Sequence, residues 1–149
     1  MNQSCQSEVI KMVSTLQRKT QMYLNEQTRH LGLTGSQAPF ILITCENGEM
    51  IQNKFCELLE MDKSTVAKML SKLEAEGYIT RKPDTADSRA MIVYPTRKSY
   101  DICAALEGFG NNWVNYLTSD MSDIEFAAFF SMLEKISDKA VDFFSDAPI

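Results

Sequence analysis

Lys63, Ser64, Thr65, Lys68 and Lys72 put three amines and two hydroxyls into ten residues, with no carboxylate following until Glu74. Amines pair with phosphate oxygens as point charges, and short hydroxyls both donate and accept at base edges. Ser64, Thr65, Lys68, Ser71 and Lys72 fall on one side of a helix. Val66, Met69, Leu70 and Leu73 recur on the other side at the three- and four-residue spacing of a buried stripe. Asp62 is a good N-cap for such a helix, and Gly77 stands where its end needs a left-handed residue. A helix of this kind suits the major groove of a duplex. Ser64, Thr65 and Lys68 point at base edges, and Lys63 and Lys72 at phosphates. Taken alone, the same face reads equally well as a solvated surface.

The residues after Gly77 decide between the two. Residues 78–82 and 90–94 are rich in β-formers and flank the six-residue turn run PDTADS. That run is longer than a tight hairpin needs, so its tip projects. Arg81, Lys82 and Arg89 lie at the base of the hairpin, within reach of phosphates or a narrow minor groove. Asp87 is placed to orient Arg89 through a charge-assisted hydrogen bond. Helix, helix and β-wing make a winged helix-turn-helix.

Several ordered motifs carry a family resemblance. They are LTGSQ at 33–37, DKSTV at 62–66, KLEAEGYITR at 72–81, the wing pattern of Asp84, Asp87 and Arg89, and TRK at 96–98. In these motifs, spread over roughly residues 31–98, the chain resembles the MarR family of bacterial transcription regulators. The resemblance implies a mainly α fold with a small β-wing, in a single subunit over 1–149. Its winged helix-turn-helix covers about 33–96, and helical dimerisation regions cover about 7–31 and 97–145. It also implies a small-molecule effector, often a phenol or similar lipophilic anion, whose contact residues stay unassigned. Two departures stand out. Ile51 occupies a place where relatives usually carry Ser or Thr, which weakens the start of the third helix. Ser88 stands where many relatives carry Arg, which weakens the wing's grip.

Other elements must hold these residues in place. An apolar stripe at Val9, Met12, Val13, Leu16, Tyr23 and Leu24 predicts a long first helix ending near Gly32. Thr34 and Gln37 read as a capping box for a second helix, with Pro39 in its first turns and Asn47-Gly48 as its stop. Residues 51–60 predict a short third helix packing Phe55, Leu58 and Leu59. Thr96 starts a long helix carrying Tyr100, Cys103, Leu106, Phe109, Trp113 and Leu117. Ser122 and Glu125 form a capping box for a last helix with Phe126, Phe129, Phe130, Leu133, Ile136, Val141 and Phe144. The first helix and the two C-terminal helices carry more apolar surface than one small winged domain covers. A homodimer reading two half-sites is the expected solution.

The chain has 149 residues and a net charge of −5, unusual for a nucleic-acid binder. The charge is segregated, however. Residues 61–98 hold 8 lysines and arginines against 5 acids, whereas residues 99–149 hold 2 against 9. The acidic part is expected to face away from phosphates. No run of 18 apolar residues suggests a membrane span, and the N-terminus lacks the features of a signal peptide, so a cytoplasmic protein is expected. Cys5, Cys45, Cys56 and Cys103 form no C-x-x-C pair and His30 stands alone, so no metal is expected. Cys45, Cys56 and Cys103 read as packing, and Cys5 as the one thiol in a polar segment. No nucleophile triad, phosphate-cradling glycine loop or paired-carboxylate site appears, so neither catalysis nor a cofactor is expected. The expected function is a dimeric repressor that binds operator DNA and is released by a small molecule or oxidant. The rival is a protein-interaction or ligand-sensing module with weak DNA binding.

Overall fold

The computed structural model describes residues 3–145, with side chains from Cys5 onward; the termini of the expected 1–149 subunit lie outside the described residues. The chain divides into two compact units, residues 1–113 and 114–149. The first unit opens with α1 (Gln3–Thr28), extended by a 3-10 turn (Arg29–Leu31) that stops at Gly32 with φ +71°. It continues with α2 (Ala38–Asn47), β1 (Met50–Ile51), α3 (Lys54–Leu59), α4 (Lys63–Ala75), β2 (Ile79–Pro83) and β3 (Met91–Pro95). Then α5 (Arg97–Leu117) crosses the boundary between the units, and α6 (Asp123–Ser145) follows. The fold is mainly helical with a small β-wing, as the motifs implied, and the wing belongs to an antiparallel sheet of order β1-β3-β2.

The expected hairpin is present. Ile79 lies opposite Pro95 and Pro83 opposite Met91. The third strand was not anticipated: Met50 pairs with Val93 and Ile51 with Ile92. Ile51 therefore does not open the third helix. That helix begins at Lys54, three residues later than expected, because β3 offers residues 50–51 a sheet edge that no local pattern announces. The Thr34–Gln37 box is likewise only half made. Gln37 Oε1 accepts from the Thr34 N–H at 2.8 Å, but the Thr34 side chain caps nothing, and the helix starts at Ala38.

The core of this unit is the set of faces turned toward the sheet and helix-turn-helix. Phe40, Ile41, Phe55, Leu70, Leu73 and Val93 are fully buried, and Val66, Ile79 and Leu106 nearly so. Phe40 and Phe55 stack with centroids 5.5 Å apart, joining α2 to α3. Leu58, expected to pack, is instead exposed, since so short a helix presents only one side inward. Tyr23 stacks on Trp113 at 4.6 Å, and Trp113 Nε1 donates to Thr20 Oγ1 at 2.8 Å, which fastens α5 to α1. Cys45 and Cys103 are half-buried neighbours, and Cys56 is also half-buried. Burial, reinforced by Cys103, pushes the Cys45 thiol up to about 12, which leaves it inert as a nucleophile.

On α1, Val9, Ile10, Met12, Val13 and Leu16 are exposed in the single chain. In the second unit, Ser122 and Glu125 make a complete reciprocal capping box. Glu125 Oε2 accepts from the Ser122 N–H at 2.8 Å, and Ser122 Oγ accepts from the Glu125 N–H at 3.3 Å. The helix it opens has no buried residue, and Phe126, Phe129, Phe130, Leu133 and Phe144 all face outward. No described helix is long and apolar enough to cross a membrane.

Candidate nucleic-acid interface

The site starts from one cap. Asp62 sits in extended backbone at φ −72°, ψ 158°, and its carboxylate accepts from the Thr65 N–H at 2.8 Å and from the Thr65 hydroxyl at 2.7 Å. The chain enters it through Glu60, the one non-glycine residue with positive φ among those described, at +51°. The Thr65 amide bond, followed by the Thr65 hydroxyl bond, holds the Asp62 carboxyl below its ordinary range. A carboxyl with a depressed folded pKa stabilises above its unfolded pKa, and that contribution is lost as pH falls through the folded value. Asp62→Asn keeps an acceptor for the cap but removes the titration. Its stability should therefore fall less steeply than wild type between about pH 5 and pH 2 in urea unfolding. Parallel profiles would show that the cap does not titrate with folding.

From this cap α4 runs with Val66, Leu70 and Leu73 inward and with Lys63, Ser64, Thr65, Lys68 and Lys72 outward. The far end is a Schellman motif. Gly77 has φ +82°, its N–H donates to Glu74 O at 3.1 Å, and the Tyr78 N–H donates to Leu73 O at 2.9 Å. The TRK segment closes over this turn. Thr96 Oγ1 donates to Gly77 O at 2.7 Å, Lys98 Nζ donates to Glu76 O at 2.6 Å, and Ser99 Oγ donates to Tyr78 O. Lys98 also stands 4.2 Å above the Tyr78 ring, whose hydroxyl donates to Leu31 O at 2.8 Å. Thr96 is thus less a helix cap than a clasp between α5 and the end of α4. The orientation of α4 is set at both termini, and its exposed face is left to the hydroxyls and amines.

The wing places its residues less uniformly. Arg89 is exposed on the tip, and Lys82 is exposed with Nζ 5.8 Å from the Tyr94 ring. Asp87 serves the wing differently from the expectation. Its carboxylate accepts from the Arg89 backbone N–H at 3.0 Å rather than from the guanidinium, forming a local turn. Asp84 makes the matching turn with the Ala86 N–H at 3.1 Å. Each short carboxylate finds a backbone amide two residues on before it can reach a flexible side chain.

Arg81 departs furthest from its expected role. Its guanidinium pairs with Glu74 at 3.0 Å and donates to Ser71 Oγ at 3.0 Å and to Gln52 Oε1 at 3.2 Å. With its side chain 16 % exposed and Nε buried without a partner, it is a strut between β2, α4 and the β1–α3 turn. The opposite charges of Glu74 and Arg81 on either side of Gly77 were a visible signal for this link.

Lys63, Ser64, Thr65, Lys68 and Lys72 of α4, with Lys82 and Arg89, give an exposed set of amines, hydroxyls and one guanidinium. Such a set is chemically suited to polyanions. No cluster of three or more metal-ligating side chains exists among the described residues.

Comparisons with known proteins bear on the family and the fold. Residues 31–90 match the model of the MarR family. The chain is 23% identical over 130 residues to the HTH-type transcriptional regulator YybA of Bacillus subtilis, itself described as uncharacterized, covering 87% of each chain. The structure of a MarR protein from Peptoclostridium difficile superposes with a TM-score of 0.91 at 25% identity, over 99% of this chain and 97% of that one. A mutant MarR of E. coli in complex with operator DNA shares the fold, with a TM-score of 0.79 at 22% identity over 87% and 93% of the two chains.

Proposed function

We propose, because residues 31–90 match the model of the MarR family and the fold superposes on that of MarR proteins, that the chain is a dimeric, sequence-specific reader of double-stranded operator DNA. One observation carries the reading: the outward face of α4 is cationic and hydroxylic, and the exposed Arg89 projects on the adjoining wing. Ser64, Thr65 and Lys68 meet base edges. The Thr65 proton is already given to Asp62, so that hydroxyl reads as an acceptor. Lys63, Lys72 and Lys82 meet phosphates, and Arg89 enters the neighbouring groove. The operator complex of the E. coli relative supports a duplex as the partner.

Dimerisation is supported by apolar residues that one copy leaves uncovered, on α1 and, separately, on α6. In a two-fold dimer the half-sites fall about 34 Å apart along the duplex. A small molecule or oxidant that binds better to a dimer with a mismatched spacing releases the DNA by shifting that equilibrium. Bound at a promoter, such a dimer acts as a repressor.

Binding to the promoter beside the protein's own gene, measured across salt, tests the reading. Lys63, Lys68, Lys72, Lys82 and Arg89 from two copies set an upper bound of about −9 on the slope of log K against log salt. A slope near zero, or no retention of the duplex, would reject it. Arg89→Ala should weaken operator binding by at least ~1 kcal/mol at matched salt. Unchanged affinity would remove Arg89 from the interface.

A further inference from the structure

Beside α4 lies a cleft of about 240 Å³ lined by Thr34, Thr65, Lys68, Met69 and Lys72. Four of these residues belong to α4. Thr34 comes from outside the helix-turn-helix, in the turn before α2.

That turn is held from two directions. Gly35 lies so close to α1 that an added Cβ would stand 2.6 Å from Leu24 Cβ and 3.2 Å from Asn25 N, and its N–H donates to Asn25 Oδ1 at 2.7 Å. No other residue fits there without moving the helix. On the other side, Gln37 is fully buried. Its Oε1 takes the Thr34 N–H, and its Nε2 donates to Glu76 Oε2 at 3.1 Å, reaching the end of α4. Thr34 is therefore fixed relative to both α1 and α4 while its own side chain stays exposed. Its hydroxyl makes only a long 3.3 Å bond to Gln37 Oε1, which already has the backbone N–H. It can turn to a new acceptor without leaving Gln37 unsatisfied.

Two amines and a free-turning hydroxyl around one cleft suit a group with several anionic oxygens, and the Met69 thioether adds an apolar wall suited to a sugar. We propose that this cleft seats one phosphodiester of the bound duplex, clamped between Lys72 and Thr34, while Lys68 lines the cleft on its way to the base edges. Thr34 thereby becomes a DNA contact residue, and Gln37 is the positioning residue that preorganises it. The proposal rests on the DNA-reading function above.

The test uses the full chain and a duplex that it selects from a random pool. Thr34→Val should lower affinity roughly tenfold, the scale of a hydrogen bond to a charged acceptor, without changing the salt slope, because no charge is lost. Lys72→Ala should lower affinity and reduce the magnitude of the slope by about two, one for each copy in the dimer. The double variant should be little weaker than the worse single one, because both residues hold the same phosphate. Thr34→Ser should restore binding. Replacing single phosphates by neutral methylphosphonates should reveal one position per half-site that matters for wild type and not for the double variant. If wild type selects no duplex, the parent reading fails and this one with it. If wild type binds while Thr34→Val binds equally well, or the two losses simply add, the phosphate seat alone is refuted. Unfolding curves for each variant show whether a loss comes from misfolding, and the methylphosphonate pattern of wild type then decides.

Discussion

Replacing Phe55 with alanine is expected to lower the unfolding free energy by about 3–5 kcal/mol, the usual cost of deleting a buried ring. Phe55 is fully buried and stacks on Phe40, and it is the one buried residue of α3. A helix of six residues does not hold itself together in water, so its place is set chiefly by that ring, with the half-buried Cys56 and Leu59 packed beside it. Because α3 supports the turn into α4, the loss reaches the proposed DNA-reading face as well. Total stabilities of domains this size run about 5–15 kcal/mol, so the variant should melt lower by roughly 10 °C or more. Leu58→Ala on the same helix is the internal control. That side chain is 50 % exposed, and its removal should cost within about 0.5–1 kcal/mol. Chemical denaturation of the two variants checks the pair. A loss under ~1 kcal/mol for Phe55→Ala would mean that α3 is anchored elsewhere.

Arg81→Ala is expected to cost about 1–3 kcal/mol of folding stability, and to leave the salt slope of DNA binding unchanged. Its guanidinium joins Glu74, Ser71 and Gln52, so removal unties β2 from α4 at two points and from the β1–α3 turn at a third. The figure stays below that of a fully buried pair because Glu74 is 39 % exposed and water can take over part of its solvation. Arg81→Lys should recover little, since a single ammonium does not reproduce a planar fork that meets three acceptors. Denaturation and salt-dependent binding, run together, separate this role from the one read in sequence. A phosphate contact would cut the slope by about two, one for each copy in the dimer, and spare stability. That outcome would show that Arg81 leaves its three partners when DNA binds.

Much of the fold was legible in the residues. Asp62 accepts from Thr65, Gly77 takes a positive φ, Ser122 and Glu125 form their box, and the Val66–Leu70–Leu73 stripe is buried. Each of these depends on partners within about four residues along the chain, where spacing alone decides the geometry. The strand at Ile51, the unfinished box at Gln37 and the strut at Arg81 were not legible in the same way. Gln37 ends on Glu76, 39 residues on, and Arg81 reaches Gln52, 29 residues back. A polar side chain has several acceptors open to it in sequence, and only packing selects one.

The candidate site divides along the same line. Composition and spacing determined by themselves that α4 would be amphipathic with a cationic outer face, and that a turn-rich hairpin would follow it. The tertiary structure decided which cations stay exposed on that surface and which are absorbed into the frame. It kept Lys68, Lys72 and Arg89 exposed, drew Arg81 in, and brought Thr34 to the side of α4. Periodicity and capping follow from the covalent geometry of neighbouring residues, whereas the choice of a distant partner follows from which surfaces exclude water together.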